Sequence, residues 1–219
     1  MTAIPAKIGK SGSRGEPEKT RAAILEAALK EFAHEGVAGA RTEEIARSAG
    51  VNKALLYYYF KDKDGLYTAV LDQVISGYYS LANAVLDRPD LAPREKLLQY
   101  AAAHYDYIAG SPLYPRLLQR EFMRSGPDST SLVDSILERH GQPVYDKLVR
   151  MIEQGVRNGE FREGIDASQT VTSVLGTISF YFISIPAQRL MTTGDPFAPE
   201  RIAQRRAAVL DFISAAVFA

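Results

Sequence analysis

Residues 42–66 read TEEIARSAGVNKALLYYYFKDKDGL, and the fold turns on how this stretch is read. Thr42 ahead of Glu43 and Glu44 has the pattern of a helix N-cap followed by acidic residues in the first turn, where the helix dipole favours them. Gly50 stops that helix early and tolerates the positive φ of a tight turn. Asn52 can then cap a third short helix running through Tyr59. Two short helices crossing steeply about a tight turn make a helix-turn-helix over residues 41–60. Close approach of the two needs a small side chain, which Ala46 supplies, and Ile45, Ala49, Val51 and Leu56 form the shared core. On the last helix Leu56, Tyr59 and Phe60 share a face by spacings of three and four, leaving Lys53, Ala54, Tyr57 and Tyr58 on the other.

That outward face has the chemistry of a DNA reader. A helix entering the major groove needs a narrow first turn so that base edges can be reached, and donors on its flanks for phosphates. Ala54 is narrow, Lys53 is cationic, and Tyr57 and Tyr58 carry hydroxyls on rigid stems. Leu55 can meet a thymine methyl. Thr42 and Lys63 add phosphate-binding groups near helix N-termini. The competing reading is an aromatic core helix, but Tyr57 and Tyr58 are hard to bury once Leu56, Tyr59 and Phe60 fill the core face.

Upstream, Ile24, Leu25, Ala28, Leu29 and Phe32 recur at helical spacing from Pro17 to Glu35, with Gly36 as the stop. Downstream, Leu66, Val70, Val74, Tyr78, Leu81 and Val85 form one stripe on a long helix ending at Arg88 and Pro89. The remainder alternates helical segments with prolines and glycines, and no strand pattern persists. The expectation is an all-α chain of about nine helices: a basic tail over 1–17, a DNA-binding domain over 18–65, and an effector-binding and dimerisation domain over 66–219. Residues 167–188 hold no charged side chain. Their nine Ser, Thr and Gln residues and Pro186 favour a helix buried against protein over a membrane span, and no membrane partner is expected.

At this point the chain resembles the TetR-type transcriptional repressors over residues 18–78. Residues 42–66 follow that family's pattern nearly position by position. The resemblance implies phosphate contacts at Thr42, Tyr57, Tyr58 and Lys63, and a place at the groove for Asn52, Lys53, Ala54 and Leu55. Members often carry histidine where this chain has Tyr59, which joins the candidate contacts. It also implies double-stranded, pseudo-palindromic operator DNA, a homodimer formed by the last two helices as a four-helix bundle, and release by a small-molecule effector. The recognition helices of such a dimer lie about 35 Å apart.

For the dimer interface the sequence offers Val171, Val174, Leu175, Ile178 and Phe182 on a charge-free helix from about Asp166 to Leu190. That helix is apolar nearly all round, with Phe180, Tyr181 and Ile183 off the stripe. Ile202, Val209, Ile213 and Val217 continue the interface on the last helix. For the effector pocket the candidates are Tyr100, His104, Tyr107, Phe122, Tyr145 and Tyr181, each of which also suits a core position. Arg116, Arg120 and Glu121 fit a pocket or a solvated face equally.

Composition narrows the alternatives. The chain has 219 residues, 26 basic and 26 acidic side chains, three histidines and no cysteine. Disulfides, thiolate zinc sites and cysteine nucleophiles are excluded, and a cytoplasmic, reducing setting is expected. No catalytic, metal-binding or cofactor motif is present: no His-Glu-x-x-His, no Gly-x-Ser-x-Gly, no phosphate-cradling glycine loop. Asp134 and Glu138 share a helix face but suit solvated charge better than a metal. A helical adaptor that binds only protein is the alternative reading, with a small enzyme behind it. The charge divides as 11 basic and 9 acidic up to Asp64, against 15 and 17 beyond. DNA affinity would therefore rest on a few placed donors.

Overall fold

The computed structural model describes residues 15–111, 113–124 and 132–219. The tail residues Lys7, Lys10 and Arg14 and the side chain of Phe122 lie outside the described residues. The fold is all-α. In chain order the helices are α1 (Gly15–Gly39), α2 (Thr42–Ser48), α3 (Lys53–Phe60), α4 (Lys63–Leu86), α5 (Pro93–Gly110), α6 (Leu113–Arg124), α7 (Leu132–Ile136), α8 (Gln142–Arg157), α9 (Ala167–Ile183), α10 (Ile185–Met191) and α11 (Pro199–Val217). A π-helical turn, Leu137–Gly141, joins α7 to α8. The chain divides into two compact units, Met1–Val70 and Leu71–Ala219.

The first unit is built as its sequence pattern dictates. Ile24, Leu25, Ala28 and Phe32 recur on one side of α1 and are buried. Also buried are Ile45 and Ala46 of α2, Leu56 and Phe60 of α3, and Leu66, Tyr67 and Val70 at the start of α4. The Phe32 and Tyr67 rings pack edge to face at 5.0 Å, an arrangement the ring quadrupoles favour. Gly36 breaks the helical geometry of α1 with φ 72° and ψ 174°.

In the second unit the buried side of α4 is Leu71, Ile75, Tyr78, Ala82 and Leu86. Val74, Leu81 and Val85 are only half-buried, so the stripe turns slightly from the one the spacing suggests. The centre of the unit is α9, which packs against α5, α6, α8 and α11. The charge-free segment is not one helix. It breaks at Ser184 into α9 and α10, bent by 66°. Pro186 accounts for the break, since it lacks an N–H and its ring clashes with the carbonyl four residues back. This split, with the extra turns around Leu132–Gly141, raises the helix number above the nine expected. No single described helix is long and apolar enough to cross a membrane.

Burial corrects the expected dimer stripe. Val171, Val174, Ile178 and Phe182 on α9, and Val209, Ile213 and Val217 on α11, are buried inside this one chain. Leu175 and Ile202 are half-buried and pack on the same core. Side chains already covered by their own subunit cannot present a surface to a second one. What α9 and α11 leave in solvent is Phe180, 64% exposed, Ile183, 42%, and Phe212, 61%. Three polar pins hold the packing: Tyr105 donates to the Ile202 carbonyl at 3.0 Å, Tyr181 donates to the Pro196 carbonyl at 2.7 Å, and Arg206 grips Asp106 through two bonds of 2.7 and 2.9 Å.

Beyond α8 the chain doubles back through Phe161, which is 1% exposed and forms an isolated antiparallel bridge with Phe218. Their rings stack at 5.4 Å, and the Arg94 guanidinium lies 4.3 Å from the Phe218 centroid. Phe161 fits there because Gly155 has no side chain: a Cβ would come within 2.5 Å of the ring. Gly155→Ala is therefore expected to lower stability by about 1–3 kcal/mol through overpacking. Phe161→Leu in the same chain should cost less than it does alone, because the smaller side chain relieves the clash. Urea midpoints of the two single variants and the double variant measure that coupling.

Candidate DNA-binding face and candidate effector cavity

The α2–α3 corner is set by local chemistry. Gly50 adopts φ 69° at the turn, and the Val51 N–H donates to the Ala46 carbonyl at 2.9 Å. The Asn52 side chain caps α3 by accepting from the Leu55 N–H at 2.8 Å, which satisfies a donor the first turn would leave unpaired. Thr42 behaves differently from the expectation. Arg41 occupies the cap position of α2 with no side-chain bond, while Thr42 is the first helical residue and 7% exposed. Its hydroxyl lies 3.2 Å from the Tyr57 hydroxyl on α3. The nearby phenol, fifteen residues away in sequence, takes the interaction that a cap would have used.

On α3, Leu56 and Phe60 point into the core, and Lys53, Ala54 and Tyr58 are exposed, Tyr58 by 80%. Leu55, Tyr57 and Tyr59 are half-buried, so Tyr59 belongs only in part to the core face assigned to it. The Tyr58 and Tyr59 rings pack edge to face at 5.4 Å. Lys53 forms an ion pair with Glu43 of α2, and its ammonium lies 5.6 Å from the centroid of the Tyr57 ring. Hydrogen bonding to Glu43 holds the Lys53 ammonium above its ordinary pKa, and Lys53 in turn keeps Glu43 ionised. Lys63 is half-buried and donates to the Ala40 and Ala38 carbonyls at 3.2 and 3.4 Å.

The second unit holds a cavity of about 690 Å³. Three of the sequence candidates line it, Tyr100, His104 and Tyr145. Two do not. The Tyr107 hydroxyl donates to the Val74 carbonyl of α4 at 2.8 Å, and the Tyr181 hydroxyl is used at Pro196. A phenol bonded to a carbonyl elsewhere is held away from the cavity. The walls missed by sequence reasoning are Tyr78 and Tyr79 of α4, Tyr114 of α6, and Leu175 and Ser179 of α9. Leu175 thus lies in the cavity wall and not at the interface expected for it. Asp134 and Glu138 also lie on the cavity. Arg116 and Arg120 are exposed on α6, and Glu121 is fully buried.

At the inner end the Tyr78 hydroxyl lies 2.6 Å from that of Tyr100 and 3.3 Å from His104 Nδ1. Burial pushes the Tyr78 and Tyr100 phenols up and pushes His104 down to about 3, so the imidazole is neutral. The rings of Tyr78, Tyr79, Tyr107 and Tyr114 pack at centroid distances of 4.8–6.2 Å. Among the described residues no cluster of three or more His, Asp or Glu is placed to hold a metal.

Residues 24–70 match the family of bacterial regulatory proteins named for tetR, and residues 93–213 match the tetracyclin repressor-like C-terminal domain, more than half of the chain in one span. The chain belongs to the TetR family. It is 35% identical over 192 residues to the HTH-type transcriptional regulator RutR of Escherichia coli, covering 88% of this chain and 87% of RutR. It is 30% identical over 181 residues to the HTH-type transcriptional repressor SCO4008 of Streptomyces coelicolor, covering 82% and 86% of the two chains. In structure it superposes on the ketosteroid transcriptional regulator KstR2 of Mycobacterium tuberculosis with a TM-score of 0.72 at 20% identity, covering 96% and 98%. This TetR-family chain is accordingly a DNA-binding transcriptional regulator and not an enzyme.

The buried imidazole of this regulator gives its stability a pH dependence. Unfolded, His104 takes a proton near pH 6.5; folded, it resists until about pH 3. Between those values the unfolded state binds the extra proton, so stability falls as pH is lowered. His104 should contribute a loss of about 2 kcal/mol between pH 7 and pH 5, and His104→Gln should remove most of it. Urea unfolding of both proteins at pH 7 and 5 measures the difference.

Proposed function

We propose that this regulator reads operator DNA with α3, whose exposed edge of Lys53, Ala54 and Tyr58 stands on a buried base of Leu56 and Phe60. That alternation carries the reading, because a core helix would not leave a tyrosine 80% exposed beside a lysine. Asn52, Lys53, Ala54 and Leu55 form the narrow first turn that meets base edges. Tyr57, Tyr58, Tyr59 and Lys63 serve phosphates, with Thr42 acting through the Tyr57 hydroxyl.

The proposed dimer uses the outward side of α9 and α11. Phe180 and Phe212 line a shallow groove there with Gly176, Ala208 and Ala215. Small residues beside exposed aromatic ones suit a second copy packed by twofold symmetry. Two subunits would then present two α3 helices to a pseudo-palindromic site. The proposed sign is repression relieved by a small molecule in the tyrosine-lined cavity. SCO4008 is named as a repressor, which supports that sign. The effector acts by its difference in affinity for the DNA-competent and released states, and α4 lends residues to both units through which this difference can act.

Selection of bound duplexes from a random pool tests the whole reading, and a random duplex competing as well as the selected one would refute it. Tyr57→Phe and Tyr58→Phe should each weaken binding to every duplex by about 1 kcal/mol per subunit. Lys53→Ala and Leu55→Ala should instead shift the preferred sequence. Phe180→Glu should move the protein from dimer to monomer in sedimentation equilibrium; a dimer that persists rejects the α9 face.

A further inference from the structure

Lys53 and Lys63 both belong to the proposed DNA-binding face, and they are held by different partners. Lys63 donates to the Ala40 and Ala38 carbonyls. Those acceptors are neutral and leave its charge in place for a phosphate. Lys53, the first residue of α3, is paired with an anion, the Glu43 carboxylate of α2.

That pair adds little as a staple between the helices. Both side chains are open to solvent, 46% exposed for Lys53 and 63% for Glu43, and exposed ion pairs contribute little to stability. The α2–α3 corner is already fixed by the bond from the Val51 N–H to the Ala46 carbonyl, by Thr42 beside the Tyr57 hydroxyl, and by buried Ile45, Ala46 and Leu56. What Glu43 does hold is the ammonium, at the start of the reading helix and 5.6 Å from the centroid of the Tyr57 ring.

The acceptors on a duplex differ in their power to draw that ammonium away. A phosphate trades one anionic oxygen for another and leaves the Glu43 carboxylate unpaired beside the backbone charge, so the exchange gains little. Adenine N7 stands beside the N6 amino donor, cytosine presents an amino donor, and thymine presents a single oxygen next to its methyl. Guanine offers two adjacent acceptors, O6 and N7, that converge on one ammonium. We propose that Glu43 is a specificity-determining residue: it withholds Lys53 from phosphates and yields it to a guanine in each half-site of the operator. This rests on the reading of α3 as the DNA-reading helix. Glu43 then works by weakening the wrong complexes, and Lys53 by strengthening the right one.

The test titrates the full chain by fluorescence anisotropy across a salt series, on the duplex selected from the random pool and on an arbitrary duplex. Glu43→Gln, Lys53→Met and the double variant are compared with the unmodified protein, and urea midpoints check that all fold alike. Glu43→Gln should raise affinity for the arbitrary duplex about tenfold and steepen its salt slope by about 0.9 per subunit, the value for one further phosphate contact. Affinity for the selected duplex should change by less than about threefold, so the specificity ratio narrows. With Lys53→Met in place, Glu43→Gln should have no such effect. Selection with Lys53→Met should lose the preference for a guanine. The role of Glu43 is overturned, with α3 still the reading helix, if Glu43→Gln leaves the ratio of the two affinities unchanged or acts equally with Lys53→Met in place. The same holds if Lys53→Met loses no base preference, or loses one for a base other than guanine. If the unmodified protein selects no sequence from the pool, both readings fall.

Discussion

Helix α9 carries no charged side chain from Ala167 to Ile183, and its apolar residues spread over more of its surface than one neighbouring helix can cover. Much of the second unit follows from that. Helices α5, α6, α8 and α11 pack around it, taking up Val171, Val174, Ile178 and Phe182. Leu175 and Ser179 border a cavity that the surrounding side chains do not fill. Phe180 and Ile183 remain uncovered. Core, cavity and exposed apolar face are thus three consequences of one helix, and the core and the proposed effector and dimer sites share its backbone.

The first unit was legible because its chemistry is local. Gly50 at the turn, Asn52 at the cap and the Leu56–Phe60 spacing are decided within a few residues of one another, and all appear as the sequence pattern implies. The Thr42 cap failed because its hydroxyl finds a partner on another helix. The same cause misplaced the cavity. Tyr107 and Tyr181 have the same polar-tipped ring as Tyr78 and Tyr114, and only the tertiary position of an accepting carbonyl decides which phenol turns away. Tyr78 read as an ordinary stripe residue of a long helix, and nothing in its neighbours in sequence marks the hydroxyl it shares with Tyr100. The dimer stripe was misread for a related reason: periodicity finds an apolar face but not which neighbour covers it. The surplus apolar residues off the stripe, Phe180 and Ile183, were the better signal.

The His104 and Tyr78 pair shows how the second unit accommodates polar groups in its interior. The low dielectric that raises the phenols and lowers the imidazole also strengthens the bonds among them. The network is uncharged at neutral pH, so it fixes ring orientations without the cost of a buried ion. Neutral Tyr78, Tyr100 and His104 thus border the same cavity as Asp134 on α7 and Glu138 on the adjoining turn.

The pairing of Lys53 with Glu43 bears on how such a regulator searches a genome. Arbitrary duplex attracts proteins through uncompensated ammonium groups that displace condensed counterions. A reading-face lysine already neutralised by a carboxylate of its own domain adds little to that grip. On the proposed interface, Lys53 contributes only where a site offers enough to draw it from Glu43. On that proposal, arbitrary duplex would gain little from Lys53, and the lysine would add most where a site draws it from Glu43.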